Sequence, residues 1–153
     1  MRTVVLDTNV LLSNPASVLD FGEAEVVIPE TVLGELDKLK TARVDPELRF
    51  KGREVSRILF ELSEQGPLLE GVELPDGGSL RVLPLDTESP MPDELSTRNA
   101  DDRILAVALQ LAETNEDVTL ITNDLNMLLK AQTYGVPVER MADDREGRFA
   151  QRF

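Results

Sequence analysis

The chain has 153 residues, with 16 Lys and Arg against 29 Asp and Glu for a formal charge of −13, and it contains neither cysteine nor histidine. That length suits one domain with a true core, and the missing residue types exclude disulfides, thiolate or imidazole zinc sites, a Ser–His–Asp triad and a Cys–His pair. Any acid–base chemistry falls to carboxylates, Lys, Tyr or metal-bound water, and the global charge opposes non-specific nucleic-acid binding, which sets Lys and Arg against phosphates. The charge is uneven, however. Lys38, Lys40, Arg43, Arg49, Lys51, Arg53 and Arg57 face only Asp45, Glu47 and Glu54 in the same stretch, which predicts a local basic face.

TVVLD (3–7) reads as a short apolar strand of the parallel-sheet type, fed directly by the N-terminus. That start leaves no room for a signal peptide, and no run approaches eighteen apolar residues, so a cytoplasmic chain without a membrane span is expected. Asn14-Pro15 marks a helix start, and EVVIP (25–29) is a second strand. PETVLGELDKLK has Val32, Leu33, Leu36 and Leu39 at helical spacing, and Asp45-Pro46 opens a longer helix running to Gly66-Pro67. Residues 67–98 are rich in Gly and Pro around one strand, SLRVLPL, and predict at least one mobile loop. NADDRILAVALQLAE returns to a helix, VTLIT (118–122) is a strand, NDLNMLLKAQTYG a helix and VPVER a last short strand. Alternation of short apolar strands with helices predicts a mostly parallel sheet of about five strands, covered on both faces.

In open α/β sheets the ligand site lies beyond the carboxyl ends of the strands. Asp7 ends strand one, Asp124 follows VTLIT, Asp101 and Asp102 open the preceding helix, and Glu35 lies one turn into the helix after strand two. Each acid has a plainer reading. Asp101 and Asp102 suit a helix N-terminus capped by Asn99, Asp124 suits the cap of its own helix, and Glu35 can pair with Lys38. Asp7 is the hardest to read that way, because an unpaired acid ending a buried strand needs a reason. Two carboxylates ~4 Å apart repel by about 4 kcal/mol at an effective dielectric near 20. Convergence of these acids therefore points to a hard divalent cation, Mg²⁺ or Mn²⁺.

VVLDTNVLL, VIPETVLGELDKLK, NADDRILAVAL and LITNDLNMLLKA, in that order, resemble the PIN domain, and most closely the PIN domain at the front of PhoH-like ATPases. The resemblance spans residues 1–140 and leaves 141–153 as a tail or linker. It implies a three-layer α/β/α Rossmann-like fold and a metal-dependent ribonuclease that cuts single-stranded RNA with metal-activated water, using one or two Mg²⁺ or Mn²⁺ ions. Carried over residue by residue, it places the catalytic and metal-binding acids at Asp7, Glu35, Asp101 and Asp124, with Asp102 as an additional metal-binding acid. Asn9, Thr122 and Asn123 are implied as supporting polar groups. Lys38, Lys40, Arg49, Lys51, Arg53 and Arg57 are candidates to guide the RNA strand, each also readable as part of a solvated helix face. The scarcity of aromatics, one Tyr, five Phe and no Trp, speaks for backbone recognition over base stacking.

No G-x-x-x-x-G-K-[ST] occurs, so the ATPase module itself is not in this sequence. The chain reads as an excised domain or a standalone relative, and the tail after Asp143 favours the excised reading. Homo-oligomers and a PhoH-type ATPase domain are the partners the resemblance implies. The rival readings are a catalytically weak PIN module for RNA binding, regulation or oligomerisation, which the −13 charge supports, and a VapC-type toxin ribonuclease. A haloacid-dehalogenase-type phosphatase needs a second Asp where Asn9 stands. A response-regulator receiver finds Asp86 after its third strand but lacks the acid pair on strand one.

Overall fold

The structure, a computed structural model, describes residues 1–41 and 43–141. The expected tail lies outside the described residues, apart from Met141. Strand β1 (Thr3–Leu6) is buried along its whole length, as are Val26 to Pro29 of β2 (Glu25–Pro29). A strand enclosed on both faces has no polar side to present, which is why these two read as near-unbroken runs of Val, Ile and Leu. Between them run α1 (Thr8–Ser13) and a 3₁₀ turn (Pro15–Leu19), where Asn14 caps the turn through Ala16 N–H at 3.2 Å and Pro15 supplies the first residue.

Helices α2 (Glu30–Lys38) and α3 (Pro46–Ser63) follow. Asp45 caps α3 by accepting from Glu47 N–H at 3.0 Å, beside a proline already shaped for a first turn. Next come β3 (Val72–Glu73), β4 (Ser79–Leu83), α4 (Ala100–Thr114), β5 (Val118–Ile121), α5 (Leu125–Thr133) and β6 (Val138–Glu139).

The result is a three-layer α/β fold around one sheet of order β3-β4-β2-β1-β5-β6, parallel except for β3. The sheet thus has six strands where about five were expected. The extra one, β3, is two residues long, too short to show an alternation, and pairs antiparallel with β4 at Val72↔Leu80 and Glu73↔Ser79.

The Gly- and Pro-rich segment between α3 and α4 is tied to the body at several points. Val72, Leu74, Leu85 and Leu95 are buried in the core. The Gln110 side chain of α4 brackets Asp86, accepting from its N–H at 3.2 Å and donating to its carbonyl at 2.7 Å. No helix among the described residues is long and apolar enough to cross a membrane.

The order of strands positions the site. From β1 the chain steps to β2 and then β4 on one side, and later returns to lay β5 on the other side of β1. The direction of winding therefore reverses between β1 and β5, the kind of crevice where such sheets bind ligands. Register aligns the two strand ends: Leu6 faces Ile121, and Asp7 N–H donates to the Ile121 carbonyl at 3.0 Å.

Candidate functional site

Asp7 is the residue after β1, and it is only 2% exposed. One carboxylate oxygen accepts from Thr8 N–H at 2.8 Å, and the other from Thr122 Oγ1–H at 2.7 Å and the Asn9 amide at 3.1 Å. No Lys or Arg pairs with it among the described residues. Burial pushes its pKa from the ordinary 3.8 up to about 6, the Thr122 and Thr8 bonds oppose that rise, and the Asp101 and Asp124 carboxylates add to it.

Thr122 is fully buried and links two strands' ends. Its hydroxyl donates to Asp7 and accepts from Asp124 N–H at 3.1 Å. Asn9 does the same one layer out, donating to Asp7 and accepting from Asn123 N–H at 3.1 Å, while Asn123 accepts from Met141 N–H at 2.9 Å. The three polar residues expected to support Asp7 thus form one continuous network around it. Thr122→Val keeps the shape but leaves Asp124 N–H and one Asp7 oxygen short of a partner. We expect a loss of about 2 kcal/mol in urea unfolding at neutral pH.

Asp124 caps α5, accepting from Asn126 N–H at 2.9 Å and Met127 N–H at 3.4 Å through one oxygen. The capping role and the site role are compatible, because the second oxygen is not used by the cap. Asp101 stands exposed in the first turn of α4, and its pKa is raised by burial of the carboxyl, then by Asp124 and Asp102, against a lowering by Lys130. Asp7, Asp101 and Asp124 therefore share one rim and act on one another.

Asp102 is turned the other way. It is 4% exposed, its N–H is capped by Asn99 at 3.0 Å, one oxygen accepts from Ser96 N–H at 2.9 Å, and the other pairs with Lys130. Lys130 was not among the expected site residues. A signal existed: it is the only Lys or Arg between Val118 and Glu139.

Glu35 is half-buried on α2, one turn beyond Thr31. Thr31 accepts from Arg103 Nε–H of α4 at 3.1 Å, which ties the start of α2 to the start of α4. The carboxylates that raise the Asp7 pKa are those of Asp101 and Asp124.

Among the described residues no three acids are close enough to enclose a cation as their side chains stand. The chemistry of the donor set nonetheless suits a hard divalent ion. The donors are oxygens only, the charges acting on Asp7 are both negative, and this central carboxylate is buried without a cationic partner.

The six candidate strand-guiding cations divide. Lys40 pairs with Asp37 at 3.1 Å, Lys51 with Glu47 at 3.3 Å, and Arg57 with Glu54 at 2.8 Å and Glu61 at 2.7 Å. Arg49 donates to the Leu39 carbonyl at 3.3 Å, and Lys38 and Arg53 have no ion-pair partner among the described residues. Lys40, Arg49, Arg53 and Arg57 nevertheless line one groove of about 550 Å³ between α2 and α3, over a floor that includes Leu36 and the exposed Phe60.

The chain is similar to known proteins in sequence and in fold. The chain is 41% identical to the protein PhoH2 of Thermobispora bispora over 139 residues, covering 90% of this chain and 31% of that protein. It is 38% identical to PhoH2 of Bacillus subtilis, covering 94% of this chain and 34% of that one. The chain thus spans about a third of the length of the curated relatives it matches. A domain of a functionally unknown protein from Methanocaldococcus jannaschii superposes with a TM-score of 0.60 at 21% identity, covering 93% of this chain and 92% of that one, which supports the fold. The PIN domain family model matches residues 4–142. The chain belongs to the PIN domain family, whose members are generally nucleases.

Proposed function

We propose that this chain is an endoribonuclease that hydrolyses single-stranded RNA with one or two Mg²⁺ or Mn²⁺ ions, acting in the cytoplasm. The observation that carries the reading is Asp7, a buried carboxylate at the sheet's reversal point whose charged neighbours are also acids. Asp7, Asp101 and Asp124 would hold the cation, with Glu35 reaching in from α2. An ion held there supplies positive charge that acidifies water and offsets the charge developing on the phosphodiester.

The chain's own residues do the rest. Thr122, Asn9 and the Thr8 N–H fix the Asp7 carboxylate, so the central ligand does not reorganise during reaction. Asp124 is held at the helix start by its own cap. The cations of the α2–α3 groove, with Lys38 and Lys51 beside them, serve the phosphate backbone, and they give a local attraction that the −13 total denies elsewhere. The curated relatives are about three times as long, and we place this domain beside a PhoH-type ATPase partner, in assemblies of more than one copy.

A second reading, an RNA-binding or regulatory module that does not cut, draws on the same overall charge and on the loose spacing of the acids. One experiment separates them. End-labelled single-stranded RNA is incubated with the protein in Mn²⁺, in Mg²⁺ and in EDTA, alongside a calorimetric Mn²⁺ titration. Internal cleavage that disappears in EDTA, with saturable Mn²⁺ binding, supports the nuclease. Intact RNA and no heat of binding at millimolar Mn²⁺ would sink it in favour of the module.

A further inference from the structure

Asp101 and Asp102 are adjacent and chemically identical, yet the structure treats them differently. Successive helix residues point about 100° apart, so only one of the pair can face the rim that Asp7 and Asp124 occupy. We infer that the Lys130–Asp102 ion pair is a sorting clasp: it withholds Asp102 from the cation, leaves Asp101 as the acid of the pair that serves the rim, and thereby sets the charge of the site. The inference rests on the acid rim being a cation site.

Three observations carry it. Both Asp102 oxygens are engaged, one by Lys130 and one by Ser96 N–H at 2.9 Å, and the residue is 4% exposed. Asp101 by contrast is exposed and feels Asp124. Lys130 comes from α5, the helix that Asp124 caps, so the pair joins the two helices that present the rim's outer acids. A lysine so near an acid cluster would ordinarily compete with a cation for it. Here its charge is spent on the one acid that the rim excludes, although enough of its field reaches Asp101 to favour the ionised form.

The clasp makes a prediction that a ligand role for Asp102, or a purely structural role for the pair, does not. Asp102→Asn leaves Lys130 unpaired beside the rim, so Mn²⁺ affinity should fall by about threefold or more. Lys130→Met releases the Asp102 carboxylate, so affinity should rise by a similar factor of about three. In the double variant the two changes cancel, and affinity should return to within about twofold of wild type, the residual being the coupling a double-mutant cycle isolates. Lys130→Arg should stay near wild type.

The test is Mn²⁺ calorimetry on the four variants, with melting curves to show that each is folded and RNA cleavage rates beside them. Affinity changes of opposite sign in the singles, restored in the double, together with slower cleavage in both singles, support the clasp. A double variant as weak as Asp102→Asn overturns it, because Asp102 is then a ligand. Affinity lost in all three variants also overturns it, because the pair is then only structural. If a single variant does not fold, the double variant, which carries no unpaired charge, decides between these outcomes. Wild type that binds no Mn²⁺ overturns the cation site and the clasp with it, whereas wild type that binds and cuts while the singles bind alike overturns the clasp alone.

Discussion

Asp7→Asn should abolish metal-dependent RNA cleavage, by at least about 100-fold, and at the same time raise the melting temperature of the protein in EDTA. The two effects have one cause. Asp7 ionises near 6 in the folded chain against an ordinary 3.8. Between those pH values the folded state keeps a proton that the unfolded state has released, so stability falls as pH rises from about 4 to about 6. Above that window the deficit is complete, on the order of 3 kcal/mol for a shift of about two units.

Asparagine removes the charge. It also replaces one acceptor oxygen with an amide that faces the Asn9 amide donor, so the gain should be smaller, about 1 to 2 kcal/mol at pH 7.5. For a chain of this size that is a rise of a few degrees, roughly 2–4 °C per kcal/mol. Mn²⁺ should raise the wild-type melting temperature and leave that of the variant nearly unchanged. A variant that is both inactive and less stable than wild type in EDTA at pH 7.5 would mean that Asp7 is held for its hydrogen bonds rather than its charge.

Gly78→Ala is the largest stability effect we expect, a loss of about 3 kcal/mol in urea unfolding. Gly78 lies where the turn leading into β4 crosses the turn leading into β2. A methyl group there would come within 2.5 Å of the Gly22 and Ala24 carbonyl oxygens. Neither carbonyl belongs to a movable side chain, and Ala24 already accepts from Ser79 N–H at 3.2 Å, at the start of the β2–β4 ladder. The control is Gly34→Ala in α2, where a methyl group meets nothing within 4 Å and helix propensity favours it by about 0.5–1 kcal/mol. The same substitution should therefore shift the unfolding midpoint in opposite directions at the two positions. Equal shifts would refute the packing argument.

What the sequence made legible was whatever a single residue pattern can encode. Val4 to Leu6 read as an enclosed strand, which β1 is, and an acid ending such a strand needed a reason, so the unusual burial of Asp7 was readable without coordinates. Thr122 and Asn9 were named only through the resemblance to the PIN domain, and the pattern alone assigned them no role. The split between Asp101 and Asp102 was not readable, because helical periodicity says that adjacent residues diverge but not which of them faces the sheet. That choice depends on Ser96 and Lys130, six residues upstream and 28 downstream of Asp102.

Strand β3 escaped because two residues cannot display a period. The basic stretch was visible as charge, but its internal pairing with Asp37, Glu47, Glu54 and Glu61 was not, since a count of cations says nothing of which acids they meet.

The pairing of Thr3 with Val118 joins the first strand to one laid down 115 residues later. Asp7 leaves the ribosome early, but Thr122 and Asp124 come from the last quarter of the described chain. A partly synthesised polypeptide therefore holds the central acid without the groups that hold it in place. Closing so long a span is among the slow steps of folding. The acid rim is thus one of the last things the molecule completes, and a growing chain carries Asp7 before the residues that hold it exist.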